Sequence, residues 1–203
     1  MAGRLKNNAE YFWMYFKLPF CAALILIVVF TYFLVARATE KERVFQALLF
    51  DVHTETSERA LEQGFADYAG IDVKHNRIDI STSLLLSDAT SNYAMTSLSK
   101  FYTQIGTEEL DFVMMYEEDF SKLTNADTFL DLQELLTEAE LSRFPKLYTA
   151  LDGTVLGIYG NELPMIQAMD GYSTGAESVA GIPYNTRHPE MAKQFLFYLL
   201  ESY

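Results

Sequence analysis

The chain has 203 residues, one cysteine and a formal net charge of −13. Residues 1–43 hold three of its 28 acidic residues and six of its 15 basic residues, so residues 44–203 carry 25 acids, nine bases and a formal charge of −16. A domain this acidic is repelled by phosphate backbones, which disfavours nucleic-acid binding. A segment of this length buries about 70% of its unfolded surface, so we expect one folded domain.

An uncharged apolar stretch, LPFCAALILIVVFTYFLVA, occupies residues 18–36. At 1.5 Å per residue it just crosses a hydrocarbon core of about 30 Å, and the aromatic residues of segment 1–17 are typical of a membrane interface. We therefore predict a short N-terminal segment over 1–17, a transmembrane helix over 18–36 that contacts the lipid bilayer, a linker over 37–43 and a folded domain over 44–203.

Cleavage of this segment stays open as an alternative. Ala36, Arg37 and Ala38 form a small-x-small cleavage pattern, although the apolar core of a signal peptide usually has about 7–15 residues. Lipidation is disfavoured because Cys21 opens the apolar core instead of following it. Three basic residues flank the span on each side, so the positive-inside rule does not decide the orientation. We expect a single-pass protein of the cell membrane whose C-terminal domain is extracellular.

The first half of the domain alternates predicted strands and helices. We expect a buried strand over 44–52, an amphipathic helix over 55–70 that ends at Gly70, and a short strand through Ile78 and Ile80. A second helix is predicted over 87–106, ending at Gly106, and an apolar strand over 110–116. Strands that alternate with helices in this way indicate βαβ units and a parallel sheet.

The second half changes in character. A helix is predicted over 127–144, followed by a hairpin of strands 148–151 and 154–158 with a two-residue turn at Asp152 and Gly153. A polar stretch over 170–178, a strand over 179–184 and a helix opened by Pro189 complete the chain. The fold class is therefore α/β, one domain with a mainly parallel sheet flanked by helices.

Three segments, taken in their order, carry a resemblance to a known family: LDFVMMYEEDFSKLTNADTFLDLQELL, YTALDGTVLGIYG and GIPYNTRHPEMAKQFLFYLLE. They resemble the extracellular solute-binding proteins of bacterial ABC importers, sugar type. The resemblance implies a periplasmic-binding-protein-like lobe that binds a small solute such as a sugar for an ABC transporter. Together with the strand and helix that precede these segments, the resemblance covers roughly residues 44–203 in two blocks.

The length departs from that family. Two α/β lobes that clamp a ligand need about twice this length, and only residues 127–151 lie where a second lobe is inserted. The chain therefore resembles a single lobe held by a membrane helix. The alternative is a non-catalytic interaction module that has lost its ligand site and docks an ABC transporter permease or another membrane protein.

Ligands of open α/β sheets bind beyond the carboxyl ends of the strands. Those ends, together with polar and aromatic positions of the second half, offer the carboxylate, amide, hydroxyl and aromatic groups that recognise sugars. The candidate ligand-binding residues are His53, Thr54, Ser81, Thr82, Tyr116, Glu117, Glu118, Tyr159, Asn161, Tyr184 and Asn185.

Catalysis and metal binding are not expected. His53, His75 and His188 lack the spacing of a zinc site, and the acidic run 117–119 lacks the alternating ligands of a calcium loop. The domain has no nucleophile elbow, no glycine-rich phosphate loop and no zinc-protease motif. We therefore predict no enzyme activity and no cofactor.

Overall fold

The computed structural model describes residues 18–34, 37, 41–52, 56–86, 91–124, 128–169 and 177–201. The chain forms two compact units, Met1–Lys41 and Glu42–Tyr203. In the first unit, residues 18–34 form helix α1, whose large apolar side chains are exposed. In the ranges given above, no helix combines the length and the apolar character needed to cross a bilayer. Segment 1–17 and residues 35–36 of the predicted span lie outside the described residues.

The second unit is built on a six-stranded mixed sheet with the strand order β2-β1-β3-β6-β5-β4. The strands are β1 Glu42–Phe50, β2 Asn76–Leu84, β3 Phe112–Tyr116, β4 Leu147–Thr149, β5 Val155–Tyr159 and β6 Ser178–Gly181. β1 pairs in parallel with β2 and β3, whereas β3–β6, β6–β5 and β5–β4 are antiparallel. The α/β class is confirmed, but the expectation of a mainly parallel sheet is wrong, because only the first half makes the long helical crossovers that parallel pairing requires.

Seven helices of this unit lie within the described residues: α2 Glu58–Ala69, α3 Asn92–Gly106, α4 Glu117–Thr124, α5 Leu132–Leu135, α6 Glu138–Leu141, α7 Pro164–Ala168 and α8 Pro189–Glu201, with a 3₁₀ turn at Gly160–Glu162. α2, α3 and α8 confirm the predicted helices. The single helix predicted over 127–144 is wrong. Leu136 has an extended backbone, so the segment breaks into α5 and α6, which are capped separately by Asp131 and Thr137.

Helices α2 and α3 end in different ways. Ser57 caps α2 by accepting a hydrogen bond from the Ala60 N–H, and Gly70 ends the helix in the left-handed region at φ 67°. Glycine lacks the Cβ that penalises this conformation. The turn after α3 instead places Glu108 at φ 57°, so Gly106 is not the left-handed residue there.

Two apolar layers cover the two faces of the sheet. On one face, Phe45 of β1 packs against Phe65 of α2 and Phe195 of α8, with ring centroids 4.9 Å apart in both pairs. On the other face, Phe50 contacts Phe101 of α3 at 6.0 Å. Residues 45–50 of β1 are buried on both faces, so this part of the strand is apolar apart from Gln46 and does not alternate.

The β4–β5 hairpin is confirmed, but its turn is longer than predicted. Ala150 N–H donates to the Thr154 carbonyl at 2.8 Å, and Gly153 N–H donates to the Ala150 carbonyl at 3.0 Å. Residues 151–153 therefore form a three-residue loop, and Gly153 adopts φ 93° as its last residue. This is the usual geometry of three-residue hairpins that end in a glycine bulge.

Candidate functional site

An open cleft of about 860 Å³ lies between α4 and the β4–β5 hairpin. It begins where β3 passes into α4 at Glu117, and it extends along β4 to the hairpin turn. Its polar and aromatic walls include Glu117, Asp131, Lys146, Tyr148, Asp152 and Tyr159. The acidic run 117–119 forms the first turn of α4.

Tyr159 organises the inner wall of the cleft. Its hydroxyl donates to Glu117 Oε1 at 2.8 Å, and Lys146 Nζ lies 3.7 Å from the centre of its ring. Lys146 Nζ also pairs with Glu177 Oε1 at 2.6 Å. Burial, and then the hydrogen bond to the Glu117 carboxylate, raises the pKa of the Tyr159 hydroxyl, while the hydrogen bond from Lys146 lowers the pKa of Glu177. Tyr159 is therefore a neutral hydrogen-bond donor over the physiological range.

Aromatic rings form the floor beside this group. Tyr148 lies edge-on to Phe120 at 5.1 Å and 6.1 Å from Tyr159. Phe120 in turn stacks on Phe129, with ring centroids 4.0 Å apart. The cleft therefore presents an aromatic surface bordered by carboxylates.

The structure brings Glu117 and Tyr159 of the candidate residues together in this cleft. Tyr116 precedes Glu117 at the end of β3, where burial and then the Asp51 charge raise the pKa of its hydroxyl. Glu118 points away and pairs with Lys122 at 3.0 Å on the exposed side of α4. His53 and Thr54 lie outside the described residues.

The remaining candidates lie elsewhere. Ser81 and Thr82 belong to β2, which continues to Leu84, so they are not at the strand end where the sequence placed them. Asn161 Oδ1 accepts the N–H and the hydroxyl of Ser178 at 2.6 and 2.8 Å, and so joins the turn after β5 to β6.

Two further candidates follow β6, which ends at Gly181 and not at 184. Tyr184 is exposed. Asn185 Nδ2 donates to the Ile105 carbonyl at 2.7 Å, at the end of α3 away from the cleft. Neither residue lines the cleft.

Several cleft residues are not distinguished by the sequence. No motif surrounds Lys146 or Asp131, and Asp152 is recognisable only as a turn residue. The hydrogen bond from Thr154 N–H lowers the pKa of the Asp152 carboxyl and keeps it charged. The signal that could have found Lys146 is its position just before a strand whose partner ends in Tyr159.

A buried polar cluster lies at the opposite end of β3. Asp111 Oδ2 accepts the Gln46 N–H at 2.9 Å, and Asp111 Oδ1 accepts the Thr186 hydroxyl at 2.6 Å. His188 Nδ1 lies 3.2 Å from Asp111 Oδ1. The cluster fastens the start of β3 to β1 and to the segment that enters α8. Among the described residues, no group of three or more histidine, cysteine, aspartate or glutamate side chains could hold a metal ion.

The two edges of the sheet differ. At the β2 edge, the Ile80 and Thr82 N–H groups donate to Glu62 Oε1 at 3.1 Å and to Glu58 Oε1 at 2.7 Å. Side chains of α2 thus occupy donors that another strand could otherwise pair with. The opposite edge strand, β4, borders the cleft.

Replacement of Glu62 by glutamine tests the electrostatics of the β2 edge. Burial raises the pKa of Glu62, so the native state binds this proton more tightly than the unfolded chain does, and stability falls as the pH rises through and just above 4.5. Glu62→Gln keeps an oxygen for the Ile80 N–H without the charge. We expect the variant to be more stable than the wild type at pH 7, by less than about 1 kcal/mol because the carboxylate is partly exposed.

Urea denaturation at pH 7 and at pH 4 measures this difference, which should shrink at the lower pH. A variant that is less stable than the wild type at pH 7 but not at pH 4 would show that the edge requires a charged acceptor.

A comparison with protein-family models finds no match to this chain, and a comparison with curated proteins finds none either.

Proposed function

We propose that the chain is a membrane-anchored, extracellular solute-binding lobe similar to the solute-binding proteins of ABC importers, and that it binds a small polar solute such as a sugar. The observation that carries the proposal is the cleft, in which Tyr148 and Tyr159 lie next to the Glu117 carboxylate and the Lys146 ammonium. Aromatic faces pack against the apolar face of a sugar ring, and carboxylates accept hydrogen bonds from its hydroxyl groups. The proposed role is binding without catalysis.

The proposed anchor is residues 18–36, which carry no charge and include the apolar helix α1 over 18–34. Fractionation of cells that express the full chain tests it. The chain should stay with the membrane after an alkaline carbonate wash and should be degraded by protease added outside the cell. Release by the wash would contradict the anchor, and protection from the protease would contradict the orientation.

A ligand screen by thermal shift tests binding, with the full chain in detergent micelles and with sugars, oligosaccharides, short peptides and calcium as probes. A ligand far above its dissociation constant should stabilise the native state by about 2 kcal/mol or more. Glu117→Ala should abolish the shift, because Glu117 lines the cleft. Glu118→Ala is the matched control, since its neighbouring carboxylate pairs with Lys122 outside the cleft. A cooperative melt that no probe shifts would refute the solute-binding proposal.

The second candidate function is an interaction module for a membrane partner. It is favoured by the surface of α3, where Tyr93, Met95 and Tyr102 are at least half exposed. Beside them, Leu98, Met115 and Leu123 line a small apolar groove of about 180 Å³ between α3 and α4. Met95→Glu should then weaken cross-linking to a co-expressed transporter permease and leave ligand shifts unchanged. No change in cross-linking would count against this candidate.

A further inference from the structure

The cleft runs along an edge strand of the sheet. β4 is last in the strand order and, in the part of the chain that the structure describes, has β5 as its one neighbour in the sheet. The cleft is lined by seven consecutive residues, 146–152, that include all of β4 and the first two residues of the hairpin loop. Side chains of a strand alternate between its two faces. Because consecutive residues of β4 all line the cleft, the cleft lies against the edge of this strand as well as against one face of the hairpin.

The register of the hairpin shows which backbone groups face this edge. Tyr159 N–H donates to the Lys146 carbonyl at 3.1 Å, and Tyr148 lies opposite Gly157. In an antiparallel ladder, residues alternate between those bonded to the partner strand and those that turn their N–H and C=O outward. Leu147 is the intervening residue, so its N–H and C=O point away from β5 and toward the cleft side.

The two edges of the sheet differ in the side-chain hydrogen bonds to their outward N–H groups. At β2, the carboxylates of Glu58 and Glu62 accept the outward N–H groups of the strand. Among the described residues, no corresponding side-chain hydrogen bond to the Leu147 N–H is seen at the β4 edge. Proteins usually cover or cap edges that must not pair. Within the described residues, side chains therefore cap the edge away from the cleft, and the edge beside the cleft is left able to pair.

Charge indicates what kind of strand would pair there. Glu117, Asp131 and Asp152 line the cleft, whereas its lysine, Lys146, is already paired with Glu177. The whole unit is strongly acidic as well. An extended segment that brings lysine or arginine side chains would therefore meet complementary charge, and an acidic segment would be repelled.

We propose that the cleft binds a short, basic, extended peptide, which pairs with β4 as an added strand and places its cationic side chains between Glu117 and Asp152. The proposal rests on the function proposed above and names the ligand class of the same site. Main-chain hydrogen bonds to the edge supply affinity in this mode, and side-chain contacts on one face supply specificity. Tyr148, which is partly exposed on β4, offers its ring to apolar or cationic groups of the peptide.

The probe is a hexapeptide of alternating lysine and valine with blocked ends, titrated against the full chain in detergent micelles by calorimetry. We expect saturable binding that weakens at high salt, and about tenfold or greater weakening when glutamate replaces lysine in the peptide. N-methylation of one alternate set of peptide amides should abolish binding, and methylation of the other set should not, because only every second amide faces β4. Equal binding of both methylated forms would overturn the proposal.

Two variants of the protein test the same edge. Leu147→Pro removes the outward N–H at the first position of an edge strand, where proline is tolerated, and should weaken peptide binding about fivefold or more relative to Leu147→Ala, which keeps the N–H. Equal affinities of the two variants would overturn the pairing mode.

Two outcomes separate this proposal from the proposed function. If sugars shift the melting temperature and the peptide does not bind, the assignment of a peptide ligand is wrong and the proposal of solute binding stands. If neither probe binds, both proposals fail.

Discussion

Phe195→Ala is expected to lower the free energy of unfolding of the second unit by about 4 kcal/mol, the largest effect of any single change considered for this protein. Phe195 is 1% exposed and lies at the centre of an aromatic cluster. Its ring is 4.9 Å from Phe45, 4.9 Å from Phe65 and 4.8 Å from Phe112. The surrounding rings come from a helix and two strands, so they cannot collapse into the cavity together. A domain with a typical stability of about 5–15 kcal/mol would lose a large part of it.

Phe197→Ala is the matched control for this experiment. Phe197 lies on the same helix but at 9% exposure, where its ring contacts Phe144 at 5.6 Å and the Arg143 guanidinium lies 4.9 Å from its centre. We expect roughly half the loss at this peripheral site. Urea denaturation followed by near-ultraviolet circular dichroism measures both variants. Equal losses would show that Phe195 does not hold the centre of this core.

Asp111→Ala is expected to cost about 3 kcal/mol, because it leaves the buried Gln46 N–H and the partly buried Thr186 hydroxyl without their acceptor. Asp111 is 1% exposed, so water cannot replace the lost oxygens without a rearrangement. The loss should appear as a lower urea midpoint of the full chain. It should also detach the segment before α8, since Thr186 and His188 both contact this carboxylate.

A conservative variant and a double-mutant cycle separate this network from simple loss of volume. Asp111→Asn keeps one oxygen and should cost less than Asp111→Ala. Thr186→Val removes one donor, and in the background of Asp111→Ala it should cost about 1 kcal/mol less than it does in the wild type. Additive losses would mean that the Thr186 hydrogen bond does not contribute to stability.

The local elements of the first half were predictable because their signals are local. Residues 45–50 of β1 are buried and apolar apart from Gln46, and α2 ends at Gly70, which is in the left-handed region. The second half was less predictable. The leucines of residues 130–136 suggest a helix by their spacing, but the extended backbone at Leu136 divides the segment into two short helices that pack separately.

The candidate site was only partly predictable for a related reason. Glu117 follows β3 in the chain, so the rule that ligands bind beyond strand ends finds it. Its partner Tyr159 is 42 positions away, and their 2.8 Å hydrogen bond depends on the antiparallel return of the chain. Lys146 enters the cleft only because the hairpin places it over the Tyr159 ring. Sequence motifs consist of neighbouring residues, so they cannot indicate contacts between residues that are this far apart in the chain.

The sequence by itself determined the acidic charge of the domain, the uncharged stretch over 18–36, the α/β class and the places where most strands and helices form, because these follow from composition and from short-range periodicity. Only the tertiary structure decided that the sheet is mixed, which of its edges is capped, and that Glu117, Lys146 and Tyr159 share one cleft. These features depend on which distant strands pair and in which direction. Packing across the whole core determines the strand pairing and its direction, so neither can be read from a single segment of the chain.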